Sequence, residues 1–360
     1  MADPDAAVDD DSDLQDLAGA PAREPAPAPA APAAAPPPPP PPVRRPPRAC
    51  RSRSALTQDD ESFIPLGAAA ALVTGARRLL VVSGSGISAG AGLSTYVGGR
   101  DGLYEKARRR YGLERGIELF GWRFYRERPY DAQKFLGELA AAVHKARPTP
   151  THHALVALER SGRLKRHVTL NIDGLHRAAG ASLWNENEGA TVELHGALRE
   201  LVDVTNGNVY ALDDAALKRI KAGCDAFETT DAPRPVLCVN ECKKRPLVET
   251  HPLRVRFRVL LYGDEEHARI LDGAAALARL MADAQDADLV LFLGISFEQS
   301  ASCEYLRDVA AVVAKETPVL LVNPDAECLY TATSALPRGS RADVRSCVAT
   351  SDELFAAAGT

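Results

Sequence analysis

Three stretches of this 360-residue chain hold side chains whose types and spacing suit chemistry. In "TLNIDGLHRAAG", Thr169 to Gly180, an apolar lead-in runs from His167 to Leu170 and ends in Asn171, Asp173 and His176. An amide, a carboxylate and an imidazole so close together read either as a polar turn that starts a helix or as the floor of a site. In "ELHG" a second apolar run ends in His195. An imidazole titrates near neutrality, so it suits general acid–base work. In "VVSGSGISAGAGL" a third run leads to Gly84, Gly86, Gly90 and Gly92. Glycines at a strand-to-helix turn leave backbone amides bare, the makings of a pyrophosphate cradle.

The elements that must position these groups follow from the apolar runs. Leu79–Val82, Val168–Leu170, Thr191–Leu194, Leu289–Leu293 and Val319–Val322 are of strand length, rich in valine and leucine, with little alternation. Strands buried on both faces of a parallel sheet read this way. Between them lie helix-favouring stretches, among them "THHALVALERSG" with Thr151 as N-cap, "DGAAALARLMADAQDAD" and "ASCEYLRDVAAVVAKE". The alternation predicts an α/β, doubly wound parallel sheet. Each run is followed by small or polar residues: Ser83-Gly84, Asn171, His195-Gly196, Gly294-Ile295-Ser296 and Asn323. The carboxyl edge of an open α/β sheet is where ligands bind. Five such junctions predict one shared site. His152-His153 read as capping or packing residues, and Arg108–Arg110 as the solvated face of a helix.

The pattern breaks between His195 and about Leu261, which predicts an inserted module over about 197–258. Residues 1–60 read as a disordered tail outside the globular part, 61–358. Seven aspartates fall between Asp3 and Asp16, prolines run unbroken from Pro36 to Pro42, and Arg44, Arg45, Arg48, Arg51 and Arg53 follow. The arginine cluster is either a solvated spacer or a nuclear-import or nucleic-acid patch. A net charge of −5 gives no overall basic field. Seven scattered cysteines, an odd number, suggest thiols or metal ligands instead of a disulfide framework. No apolar run approaches the about 18 residues that span a bilayer, so no membrane partner is expected. The acidic start fits neither a signal nor a transit peptide.

The glycine loop departs from the ordinary dinucleotide fingerprint. Its third glycine, Gly90, comes one residue late, and no acid stands clearly at the end of a second strand about 20 positions on. This weighs against an ordinary dehydrogenase. The order of "GSGISAGAGL", "TLNIDGLHRAAG", "ELHG", "VLLYGDEE", "LFLGIS" and "LLVNP" instead resembles the sirtuin family, the NAD-dependent protein lysine deacylases. The resemblance covers about Pro65 to Ala358.

The resemblance implies a Rossmann-like core with a smaller zinc module. Gly84, Ser85, Gly86 and Ser88 match the family's phosphate loop, and Tyr96 its following aromatic. Asn171 and Asp173 match the pair that handles the nicotinamide ribose and carboxamide, and His195 the catalytic base. Gly294 and Ser296, with Asn323, match residues beside the adenosine ribose, and Cys347 a position near the adenine. Val259 and Gly263 lie where the family's acyl-lysine peptide pairs as an added strand. The implied products are lysine, nicotinamide and acyl-ADP-ribose.

The family's pattern is not kept throughout. Its Gly-Ile-Pro-Asp-Phe-Arg reads Gly92-Leu93-Ser94-Thr95-Tyr96-Val97, with Arg100 three residues late. Leu170 stands for a ribose-contacting glutamine and Ile295 for a threonine. The first zinc-binding cysteine pair is absent. The second reads Cys238-x-x-x-Cys242, with Cys224 a candidate third ligand and Asp203 or His251 a fourth. Two readings follow. One is an NAD-dependent deacylase acting on an acyl-lysine protein, with histones or chromatin as partner and a nuclear, otherwise cytoplasmic, location. The other is a weak or inactive module that binds NAD, ADP-ribose or an acyl-lysine peptide.

Overall fold

The structure is a computed structural model that describes residues 62–97, 99–184, 188–221, 255–337 and 340–360. Its core is a six-stranded sheet in the order β3-β2-β1-β7-β8-β9. The strands are β1 (Leu79–Ser83), β2 (Leu164–Thr169), β3 (Thr191–Glu193), β7 (Leu289–Leu293), β8 (Pro318–Val322) and β9 (Asp343–Cys347). Every pairing is parallel. The chain leaves β1 toward one edge and later returns to β7 on its other side. That reversal is the switch point of a doubly wound sheet, where a crevice opens at the carboxyl ends.

The apolar runs lack alternation because both faces are covered. Leu79 and Val81 face a layer that holds Ala69 and Val73 of α1 (Leu66–Gly75), Leu155 and Leu158 of α5 (Pro150–Arg160), and Phe355 of α11 (Ser351–Ala358). Leu80 and Val82 face Leu280 of α8 (Gly273–Asp286), Leu306 of α9 (Ser300–Val312) and Leu329 of α10 (Ala326–Ser334). Successive side chains of a strand point to opposite faces, so each must be apolar.

A third apolar cluster lies off the sheet. It joins Phe120, which ends the 3-10 turn Gly116–Phe120, with Trp122 and Tyr125 of α3 (Trp122–Glu127), Phe135 of α4 (Pro129–Lys145), and Leu198 and Phe257. The last two belong to a three-stranded antiparallel sheet, β5-β4-β6, built from β4 (Gly196–Asp203), β5 (Val209–Ala211) and β6 (Val255–Val259). The inserted module is therefore ordered over its described part, as these strands and a helix, α7 (Asp214–Lys221). Its charges hid it: on β4, Glu200 is buried only because Arg258 of β6 and Arg177 meet it. Edge strand β9, "DVRSC", was missed for a similar reason.

Local corrections have physical causes. The N-cap of α5 is Thr149, with Pro150 in the first turn, where its missing N–H costs nothing. The glycine loop leads into a 3-10 turn, Ser85–Ala91, and not into an α-helix. The amides expected to be bare are in part spent: those of Gly84, Gly86 and Ile87 donate to main-chain carbonyls. Arg108–Arg110 are exposed on α2 (Leu103–Tyr111), as expected. Among the described residues no helix is long and apolar enough to cross a membrane.

Candidate active site

The loops after β1 and β7 touch backbone to backbone. Gly84 N donates to Leu293 O, Gly86 N to Gly294 O, and Gly294 N to Val322 O, at 2.9–3.0 Å. A Cβ on Gly86 would lie 2.7 Å from Gly294 Cα, and one on Gly294 2.7 Å from Ile87 N. Gly294 also has φ +61°, which favours glycine. The glycines are thus needed first for loop-on-loop contact.

Behind the loop runs a buried chain of hydrogen bonds. Asn171 Nδ2 donates to Gly84 O at 3.1 Å and to Ser88 Oγ at 3.3 Å. Ser88 Oγ donates to Asp173 Oδ2 at 2.7 Å, and Leu175 N donates to Asp173 Oδ1 at 2.9 Å. Asp173 is an orienting group here, each of its carboxyl oxygens taking one of these two donors. Asn171 Oδ1 is buried and has no partner among the described residues. A buried acceptor left unpaired is costly, so this atom marks where a ligand donor, an amide N–H or a hydroxyl, would sit.

His195 follows β3, and its Nδ1 lies 3.0 Å from Leu170 O. A carbonyl can only accept, so Nδ1 carries the proton and Nε2 keeps its lone pair. Burial pushes the imidazole below its ordinary pKa, against a smaller upward pull from that hydrogen bond. Burial prevails and leaves a neutral base, while the hydrogen bond fixes its tautomer.

Three clefts meet here. The first has about 900 Å³ of empty space and is lined by Asn171, His195, Leu170, Ile295, Tyr96 and the segment Val259–Tyr262. The second, about 1190 Å³, is floored by Ser88, Asn171 and Asp173 under Tyr96. The third, about 1210 Å³, holds Gly86, Gly294, Ser296 and Asn323. Ser85 borders all three. Together they could hold a dinucleotide and a side chain entering from the β6 side. The unpaired Asn171 acceptor fits such a ligand.

Not every expected residue reaches a cleft. Asn323 borders the third, but its side chain bridges loops, donating to Ile295 O and accepting from Asp325 N. Cys347 is buried in the sheet and lines none of the three. Val259 lines the first cleft, whereas Gly263 lies beyond it. The amides of Leu260, Leu261 and Tyr262 donate to His195 O, Asp264 Oδ2 and Phe120 O. Arg256 fixes this segment from below through Asp264 and Val259 O.

The expected departures are visible as chemistry. Leu170 and Ile295 turn apolar side chains into the first cleft, and Val97 borders the first and third. Thr95 Oγ1 donates to Val97 O at 2.6 Å, and Thr95 O and Tyr96 O accept from Leu103 N and Tyr104 N. This pinned turn leaves Arg100 exposed and outside the clefts. Cys224, Cys238, Cys242 and His251 lie outside the described residues. Asp203 is occupied by its own turn, accepting from Thr205 and Asn206. Sequence reasoning missed Tyr104, Phe120 and Tyr305 as cleft walls. They carry no motif, and tertiary packing alone brings them there.

Comparison with known proteins gives a consistent result. The Sir2 family model matches residues 84–300. An NAD-dependent protein deacylase 2 of Pyrobaculum aerophilum is 35% identical over 150 residues, covering 39% of this chain and 51% of that protein. An NAD-dependent protein deacylase of Thermococcus kodakarensis is 37% identical over 131 residues, 36% of this chain and 45% of that protein. The chain thus spans about half the length of the curated relatives it matches. A solved Sir2 homologue–NAD complex shares the fold with a TM-score of 0.55 at 20% identity, covering 81% of this chain and 91% of that one.

Proposed function

Because the chain belongs to the Sir2 family, we propose that it is an NAD-dependent protein lysine deacylase. The observation that carries this reading is the pairing, in one cleft, of a tautomer-locked His195 with the unpaired acceptor Asn171 Oδ1. NAD would supply a ribose carbon open to attack and nicotinamide as leaving group. Ser88 and Asp173 hold the Asn171 amide so that its oxygen can take a ligand N–H or O–H. His195 Nε2 takes a proton from a hydroxyl facing it. Leu170, Ile172 and Ile295 keep that region dry. The acyl-lysine enters along Val259–Tyr262. The overall reaction consumes acyl-lysine, NAD and one water, and yields lysine, nicotinamide and acyl-ADP-ribose.

A second reading, a module that binds NAD, ADP-ribose or acyl-peptide with little turnover, is favoured by the apolar Leu170, Val97 and Ile295. Each replaces a polar group by an apolar one, at about 1–3 kcal/mol per lost bond to a buried ligand group. Nicotinamide release from NAD and an acetyl-lysine peptide separates the two. Release that vanishes in His195→Ala supports the enzyme. No release from wild type, with calorimetric binding of NAD or ADP-ribose, supports the module. A chromatin partner, with histones as substrate, and a nuclear location form part of the proposal. Arg44–Arg53 supports them, and imaging of the chain with and without that segment tests the location.

A further inference from the structure

Three imidazoles stack in the interior, and the chemistry above uses none of them. His152 of α5, His167 of β2 and His176 of α6 (Leu175–Ala179) are at most 1% exposed. Their ring centroids stand 4.7 Å (His152–His176) and 4.2 Å (His167–His176) apart. Each has a buried ring nitrogen without a partner among the described residues: His152 Nε2, His167 Nδ1 and His176 Nε2. Unpaired buried polar atoms are rare, and three together call for an explanation. Ligand atoms of His152, Asp173 and His176 lie within 4.8 Å of one another.

We propose that His152, Asp173 and His176 form a buried site for a divalent transition-metal ion of the zinc class, beneath the floor of the second cleft. Two imidazoles and one carboxylate suit zinc, cobalt or nickel better than magnesium or calcium, which take oxygen ligands. His152 has an outer partner as well. Thr149 Oγ1 donates to Ile87 O at 3.0 Å, which spends its one proton. Its oxygen lies 2.7 Å from His152 Nδ1 and can accept from it, leaving the Nε2 lone pair for a metal. In the other tautomer the Thr149 amide donates to Nδ1 at 3.1 Å, and metal binding selects against it. The ligand atoms must draw together to roughly 3.3 Å, as bond lengths near 2.0–2.1 Å require. Asp173 borders the second cleft and gives the entry path.

The consequence for activity rests on the deacylase reading, but the site does not. Asp173 holds Ser88, and Ser88 holds Asn171. A metal on Asp173 would loosen that chain and inhibit turnover.

Cobalt(II) is the probe, added to the full chain after chelator stripping. We expect one equivalent bound with only nitrogen and oxygen in its first shell by X-ray absorption. Its visible bands should lack thiolate charge transfer, which separates it from any ion on Cys224, Cys238 and Cys242. His152→Gln, His176→Gln and the near-isosteric Asp173→Asn should each weaken binding at least tenfold. His195→Ala should leave it unchanged. No binding, a sulfur-only shell, or equal affinity in whichever of the three variants fold would overturn the proposal. Loss of turnover with cobalt-site binding intact would count against the deacylase reading alone.

Discussion

The carbonyl oxygen of Leu170 accepts the Nδ1–H of His195 at 3.0 Å. The first residue past β2 therefore fixes the tautomer of the histidine past β3, and does so with its backbone. The Leu170 side chain is left to face the cleft. One residue thus serves two purposes that substitution can separate.

The pH dependence of turnover follows from His195. Burial lowers its pKa from 6.5, and a base must be neutral to act. Nicotinamide release should hold through neutrality and fall only as pH drops below about 6.5. Initial rates between pH 5 and 8 measure this. An acid limb centred above 6.5 would contradict a depressed His195, and His195→Ala should abolish the limb with the activity.

Leu170→Gln should tighten cofactor binding. The link to His195 is made by the main chain, so the substitution leaves it in place while adding an amide to the cleft. One added hydrogen bond is worth about 1 kcal/mol, roughly fivefold in Kd. Calorimetry with NAD reads the change. Weaker binding by the variant would mean that the cleft at Leu170 is built for an apolar group.

Acid should destabilise the protein through its stacked histidines. Burial holds His152, His167 and His176 below 6.5 in the fold, His167 down to about 3. As pH falls, the unfolded chain takes up these protons first. Stability is therefore full above about 6.5 and is lost progressively below it, by at most about 1.4 kcal/mol per pH unit for each imidazole. Urea unfolding at pH 7.5, 6 and 5 should show falling midpoints. His167→Val should flatten the slope, and an unchanged slope would remove His167 from the account.

Two glycines that share the left-handed region should respond differently. Gly294 (φ +61°) and Gly263 (φ +71°) are both left-handed. A Cβ on Gly263 meets nothing within 4 Å, whereas one on Gly294 strikes the Gly86 loop. Gly263→Ala should cost about 1 kcal/mol, the left-handed penalty alone. Gly294→Ala should cost at least about 2 kcal/mol, because overpacking adds to it. Denaturant unfolding of both variants checks the difference.

How far the sequence could be read depended on whether position or packing carried the signal. The five apolar runs announced the parallel sheet because burial on both faces erases alternation, as at Leu79–Val82 and Leu289–Leu293. Asn171, Asp173 and His195 were legible because they sit at strand ends. The β4-β6 sheet was not, since Arg199, Glu200, Arg256 and Arg258 make it look polar until their partners are known. Nor was the histidine stack: His152, His167 and His176 come from three elements, and only folding brings their rings together.

The seam between Gly86 and Gly294 has a thermodynamic side. A wall made of main chain alone has no rotamers to lose. When a ligand settles against it, the ordering entropy that long side chains would surrender, about 0.5–1.5 kcal/mol each, is not charged to binding there. Much of that restriction is already met when the chain folds. The clefts can therefore give up polar side chains such as those expected at residues 97, 170 and 295 and still present a fixed surface to whatever binds.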